Sequence, residues 1–297
     1  MLREFWDKAR ERVKTHCRVC PVCDGRACAG EVPGMGGIGT GMGFRNNVTA
    51  LAAVRLNMRV LHDANNPDTS CRLWGRDLAL PVFAAPVGSM ARNGGSSLSD
   101  KDFIQKLIDG CVKAKTLAGF GDPAERDRFQ SYLECVKGRG SFVIPFIKPW
   151  PVADVAARLD LAREAGCDVC GMDVDAAGLT VLRRMASPVE IKSPTMLKEI
   201  IGLAHERGMR FIVKGIMTVG EALLAAEAGA DAVLVSNHGG RVLDHTPGTA
   251  EVLPGIADAV GERVLVMMDG GIRTGVDVLK ALALGADAVF ICRPVAV

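Results

Sequence analysis

The chain repeats one short phrase three times: Glu164-Ala165-Gly166-Cys167-Asp168, Glu227-Ala228-Gly229-Ala230-Asp231 and Ala283-Leu284-Gly285-Ala286-Asp287. In each, a helical pattern ends, a glycine follows where helices take a left-handed cap, and an aspartate opens a short apolar run. Such a phrase turns a helix into a buried strand. Short apolar runs occur at 80–85, 116–120, 142–147, 169–174, 211–214, 232–235, 264–268 and 288–291. Segments of helical spacing lie between them at 152–165, 194–207, 219–228 and 274–284. Strands alternating with helices imply a parallel sheet with right-handed crossovers. Eight strands predict a closed (β/α)8 TIM barrel, an α/β fold, rather than an open doubly wound sheet.

Length agrees with one such unit. The chain has 297 residues, 48% of them hydrophobic, and barrels of this kind commonly take about 250 residues. The barrel is assigned to 80–297, and residues 1–79 form an N-terminal extension, first cysteine-rich and then glycine-rich. The chain stops just after the eighth run, with no residues for the helix that should follow. A barrel without its closing helix leaves an apolar flank exposed, so a fragment or a truncated reading frame is expected.

Charge and termini exclude some functions. A net charge of +2 is too near neutral to call for nucleic acid or a membrane surface as partner. Residues 1–14 alternate charged and apolar side chains, without the apolar core of a signal peptide, and no later segment is apolar enough to span a bilayer. A cytoplasmic protein is expected. Its ten cysteines are then reduced thiols or metal ligands rather than disulfides.

The chemistry concentrates after the sixth run, in Ser236-Asn237-His238-Gly239-Gly240-Arg241-Val242-Leu243-Asp244. An imidazole and a guanidinium stand three residues apart at a strand's end, among glycines that let backbone approach a ligand. Imidazole titrates nearest neutral pH and suits a general base. The planar guanidinium fork matches a carboxylate. The plainer alternatives are a loop histidine satisfied by backbone and an arginine in a surface ion pair.

From Lys214 to Pro294 the chain resembles the FMN-dependent 2-hydroxy-acid dehydrogenase/oxidase family. The matching motifs are Val213-Lys214-Gly215, the Ser236–Arg241 run with Leu243-Asp244, Asp269-Gly270-Gly271-Ile272-Arg273 and Arg293-Pro294. Weaker matches stand at Leu80 to Pro86, at Phe44-Arg45-Asn46-Asn47 and at Asp173-Val174-Asp175. The resemblance implies FMN as cofactor, a small lactate-like 2-hydroxy acid as substrate, a 2-oxo acid as product and a homo-oligomeric assembly. It makes His238 the base, Asp175 the group orienting it, and Arg241 the clamp on the substrate carboxylate. It places Pro86, Lys214, Ser236, Asp269, Gly270, Gly271, Arg273 and Arg293 against the flavin. Among these, Lys214 offsets charge on the reduced ring and Arg273 and Arg293 take the phosphate. No metal is expected at these strand ends.

The departures from the family matter for substrate. Members present two tyrosines to it, and this chain has one, Tyr132. Counting back from Gly166 puts Pro145-Phe146-Ile147 where the family has Gln-Leu-Tyr. Asp173 replaces a threonine, an arginine expected after Asp175 is missing, and Cys292 replaces a glycine. Lys148 and Asp173 are either substitute polar groups or a plain ion pair. These losses leave two alternatives: another FMN barrel enzyme, such as a flavin-assisted isomerase, or a catalytically silent flavin-binding protein.

Cys17, Cys20, Cys23 and Cys28 are spaced C-x2-C-x2-C-x4-C. This resembles half of a bacterial ferredoxin run except in its last interval. Zinc and a cluster of reduced thiols remain open, and an iron–sulfur cluster would make the enzyme a dehydrogenase rather than an oxidase. The glycine tract 34–43 follows no strand, so it is a poor dinucleotide fingerprint. A flexible loop over the flavin is expected there.

Overall fold

The computed structural model describes residues 2–13, 15–123, 125–185 and 187–297. Two strands, β1 (Cys71–Leu73) and β2 (Arg76–Leu78), form an antiparallel hairpin. Eight more form a closed parallel barrel: β3 (Val82–Ala84), β4 (Ala118–Gly121), β5 (Val143–Ile147), β6 (Val169–Asp173), β7 (Arg210–Ile216), β8 (Ala232–Val235), β9 (Leu265–Met268) and β10 (Ala288–Ile291). They pair in chain order, and β10 closes on β3. All eight expected strands are present, some trimmed by one or two residues where strand ends leave the ladder.

Before the barrel come α1 (Leu2–Arg12) and α2 (Met42–Ala53). Around it follow α3 (Met90–Gly94), α4 (Asp100–Lys113), α5 (Arg126–Glu134), α6 (Val152–Glu164), α7 (Thr180–Arg184), α8 (Pro194–Glu206), α9 (Val219–Glu227), α10 (Thr249–Val260) and α11 (Gly275–Ala283). After β10 there is a short helix, α12 (Arg293–Ala296), where no helical residues were expected. The flank outside β3 and β10 is an apolar groove of about 580 Å³, lined by Val82, Phe103, Leu107, Ile291 and Val295. No helix among the described residues is long and apolar enough to cross a membrane.

The repeated phrase does what its residue types require. Gly166, Gly229 and Gly285 all take positive φ, 92°, 96° and 104°. That conformation costs glycine little and ends each helix. Two of the aspartates that follow tie neighbouring strands together, and the third ties the hairpin to the barrel. Asp231 accepts the Phe211 amide and Asp287 the Val266 amide, each at 2.8 Å, and Asp168 pairs with Arg76. Strands β5, β6 and β8 are buried at every residue, as parallel strands covered on both faces must be.

Inside the barrel, Phe83 and Phe146 pack edge-on against Phe290 at 5.4 and 5.7 Å between ring centres. Leu73 and Leu78 of the hairpin join this inner cluster. The hairpin turn, Trp74-Gly75, has φ of 48° and 79°, the sign that a tight two-residue turn demands at both positions. It closes the end of the barrel opposite the chemistry. Sequence periodicity did not find it, because its strands are only three residues long.

The glycine-rich tract lies on the carboxyl-terminal face of the barrel. Ile38 donates its amide to Gly240 O at 2.9 Å, and the amides of Thr40 and Met42 reach Asp244 at 2.6 and 2.9 Å. A Cβ on Gly39 would stand 2.5 Å from the Asp244 carboxylate, so this close approach needs glycine. Asn47 of α2 extends the same seam, donating to Asn237 at 2.8 Å.

Candidate active site

The carboxyl ends of the barrel strands converge on one pocket, where barrels of this kind carry their chemistry. Of the residues singled out in the sequence, it is lined by Pro86, Lys148, Lys214, His238, Arg241, Asp269, Gly270, Gly271, Arg273 and Arg293. Asp175 and Ser236 stand behind this lining, each bonded to a residue that forms it.

His238 follows β8 in a tight left-handed turn. Its φ is 56°, and Gly239 and Gly240 continue at 66° and 75°. Nδ1 stands 3.1 Å from both oxygens of Asp175, which lies in the first turn of a short 3-10 helix, Val174–Gly178, after β6. A carboxylate accepts, so Nδ1 carries the proton and Nε2 is left with its lone pair. Burial, then the Lys214 ammonium, pushes the imidazole well below its ordinary pKa, although Asp173 opposes them. The ring is therefore neutral near pH 7. Burial also raises the Asp175 carboxyl, with Lys214 and Lys148 pulling the other way.

Arg241 donates from Nη2 to Asn93 Oδ1 at 2.7 Å. Among the described residues it makes no ion pair. Its guanidinium charge is left for an anion in the pocket.

The end of β5 corrects one expectation. Pro145 and Ile147 do not line the pocket, and Ile147 packs in the cluster between barrel and helices. Strand alternation turns Phe146 inward, and the residue that then reaches the pocket is Lys148. Its ammonium pairs with Asp173, and Asp173 Oδ2 lies 4.0 Å from His238 Nε2. Both partners are buried, at 9% and 3% exposure. The backbone amide of Lys148 and the indole of Trp150 both donate to Asp122, at 3.4 and 2.6 Å. This holds the lysine's loop against the strand ends. The one tyrosine, Tyr132, bonds Gly88 O at 2.9 Å from behind the pocket wall and does not line it.

On the other side, Lys214 of β7 donates to Ser236 Oγ at 3.0 Å and lies 3.8 Å from Asp269 Oδ2. Burial alone would lower its pKa, but Asp269, Asp175 and Asp173 together hold it above the ordinary value. It stays charged. Gly270 and Gly271 follow β9 at φ of 93° and 79°, and Arg273 and Arg293 extend the pocket beyond them. Both guanidiniums stand over the Phe44 ring, whose centre is 5.7 Å from Arg273 and 3.9 Å from Arg293. Arg293 also donates to Met35 O at 3.0 Å, joining the glycine tract to the pocket. Asp269 Oδ1 and Arg273 Nε are buried without a hydrogen-bond partner among the described residues. One acceptor and one donor are thus left for a bound molecule.

The chain is similar to known proteins of one family. The family profile for FMN-dependent dehydrogenase matches residues 34–201 and 183–297. An L-lactate oxidase of Lacticaseibacillus rhamnosus is 34% identical over 86% of this chain and 74% of its own. A 2-hydroxyacid oxidase of Dictyostelium discoideum is 32% identical over 84% and 70% of the two chains. A solved mandelate oxidase variant with 2-hydroxy-phenylacetamide superposes with a TM-score of 0.74 at 26% identity, covering 99% of this chain and 85% of that one.

Proposed function

On the premise that the chain belongs to the FMN-dependent dehydrogenase family, we propose that it oxidises a small, lactate-like 2-hydroxy acid with His238 as the base. FMN-dependent oxidation of 2-hydroxy acids is the activity its relatives carry, and FMN is its cofactor. The residues present fit that group. Asp269 Oδ1 and Arg273 Nε are buried without a partner among the described residues, in the pocket that the Gly270-Gly271 backbone and the Arg293 cation also line. Lys214, Ser236, Asp269 and Pro86 would hold the ring and ribityl side, and Arg273 and Arg293 the phosphate. When bound, FMN supplies the acceptor for the two electrons that leave the substrate.

The observation that carries the reading is a neutral, oriented imidazole sharing one pocket with a cation that makes no ion pair among the described residues. Arg241 binds the substrate carboxylate. His238 Nε2 takes the substrate proton, and Asp175 keeps Nδ1 protonated and stabilises the imidazolium that results. Lys214, held charged in the pocket wall, would offset the negative charge that reduction adds to the cofactor. Lys148, held by Asp173, puts a cation on the wall of the pocket and so bounds its substrate side.

The test is to add L-lactate, glycolate and longer 2-hydroxy acids to the yellow protein without oxygen. One of them should bleach the flavin, and Lys148→Met should need about tenfold more of it, the loss of about 1.4 kcal/mol of binding. If none bleaches the flavin, the proposal fails. A homo-oligomer is part of the same reading, supported by the exposed apolar side chains Leu56, Met58, Val60 and Leu61. A cytoplasmic setting also belongs to it, supported by ten cysteines, none in a disulfide among the described residues.

A further inference from the structure

Cys17, Cys20, Cys23 and Cys28 all line one cavity that the oxidation does not use. Its volume is about 70 Å³, several times the ~10–15 Å³ that one water needs. The rest of its wall is largely apolar, including Trp6, Val19 and Val297, and no carboxylate or histidine contributes among the described residues. We propose that these four cysteines bind a [4Fe–4S] cluster in this cavity.

Four observations support a metal centre here, and the second of them favours a cluster over a single ion. In the ferredoxin run that this spacing resembles, the fourth cysteine serves a second cluster, whereas here all four cysteines border the same space. Tetrahedral zinc holds its sulfurs at about 2.3 Å and so roughly 3.8 Å from one another. No three of these sulfurs lie within 4.8 Å of one another. A cubane gives each thiolate its own iron and spreads them wider. Sulfur atoms here already accept hydrogen bonds, Cys17 Sγ from the Val19 amide at 3.4 Å and Cys23 Sγ from Arg273 Nη2 at 3.5 Å, and such bonds are a lever on cluster potential. Finally, four thiolates make a cluster anionic. Arg273 and Arg293 border the cavity, and neither is in an ion pair among the described residues.

The backbone is shaped to bring the thiols together. Val19 and Gly25 both turn at positive φ, 45° and 84°. A Cβ on Gly36 would stand 1.9 Å from Cys28 O, so the tract passes directly over the last ligand. Met35, Arg273 and Arg293 line both this cavity and the catalytic pocket. A redox centre there stands across one shared wall from the arginines assigned to flavin phosphate. That placement rests on the flavin reading, but the cluster site itself does not.

The test uses the full chain, expressed with iron and a sulfur source and purified without oxygen. Iron, acid-labile sulfide and zinc are measured per chain, and the dithionite-reduced protein is examined by electron paramagnetic resonance. The expectation is about four irons and four sulfides per chain with a reduced-cluster signal. Cys20→Ser and Cys28→Ser should each lose most of the iron, while Cys71→Ser, in the distant hairpin, should keep it. Zinc in place of iron, two irons per chain, or no metal with all four thiols open to a thiol reagent overturns the proposal. If the serine variants misfold by circular dichroism, the metal content of the unaltered chain decides. A protein that holds its irons yet is never bleached by a 2-hydroxy acid would sink the oxidation and leave the cluster standing.

Discussion

His238 sits in a backbone conformation that few side chains adopt, at φ 56°, a kind of local strain worth about 1–3 kcal/mol that clusters at functional sites. The conformation aims the ring between Asp175 and Asp173. Because burial and Lys214 depress its pKa, the base stays neutral below the usual histidine range. The acid limb of kcat/KM is therefore expected below pH 6.5, histidine's ordinary value. A limb at or above pH 7 would show a ring charged at rest. His238→Gln should keep its flavin and lose about 10²–10⁴ in kcat. Stability follows the same sign. As pH falls below about 6.5, the unfolded chain takes up the proton first, so folding stability falls until the depressed folded pKa is passed. The glutamine variant should lack that slope in urea melts between pH 7 and 5. Much of this residue-level picture is legible in the Ser236–Arg241 run. Lys148 is legible only as a candidate, since counting from Gly166 put Ile147 at the pocket. The alternation of β5 makes the one-residue difference decisive.

Among the elements, the glycine tract depends most on a single partner. Asp244 accepts hydrogen bonds from the Thr40 amide and hydroxyl and from the Met42 and Gly43 amides. Burial would raise its carboxyl, but the Thr40 donors, with the His245 and Gly43 amides, bring it down to about 2. Its contribution is present above the ordinary value of 3.8 and lost as pH falls toward 2. Asp244→Ala should free the tract, with faster amide exchange at Thr40, Met42 and Gly43 and FMN bound about tenfold more weakly. Unchanged exchange at those amides would show that the tract holds itself. The sequence suggested a flexible loop here, because glycines carry no sign of their partner. Asp244 lies some two hundred residues away, and only folding reveals the pairing.

For the molecule as a whole, strand ends far apart in sequence supply one pocket, so occupying it should stabilise the entire barrel. FMN at a hundred times its Kd adds about 2.7 kcal/mol to the folded state, which for a chain of this size is roughly 5 °C in Tm. Stripping the flavin should lower Tm by about that much, and adding FMN should restore it. Arg273→Ala should abolish the response. If that variant keeps FMN at full occupancy, the phosphate assignment is wrong.

The sequence by itself determined the alternation of strand and helix, the eight-strand count and the residue types at the strand ends. These are local properties, written in apolar runs, helix-ending glycines and short motifs. Tertiary structure decided what depends on distance through space. It set Lys148 against Asp173 beside the base, moved Tyr132 behind the pocket wall, laid the glycine tract over Asp244, and gathered four cysteines around one cavity. Barrel closure brings the carboxyl ends of all eight strands to one face, which no window of sequence contains, and the helices and the N-terminal extension then pack around that face.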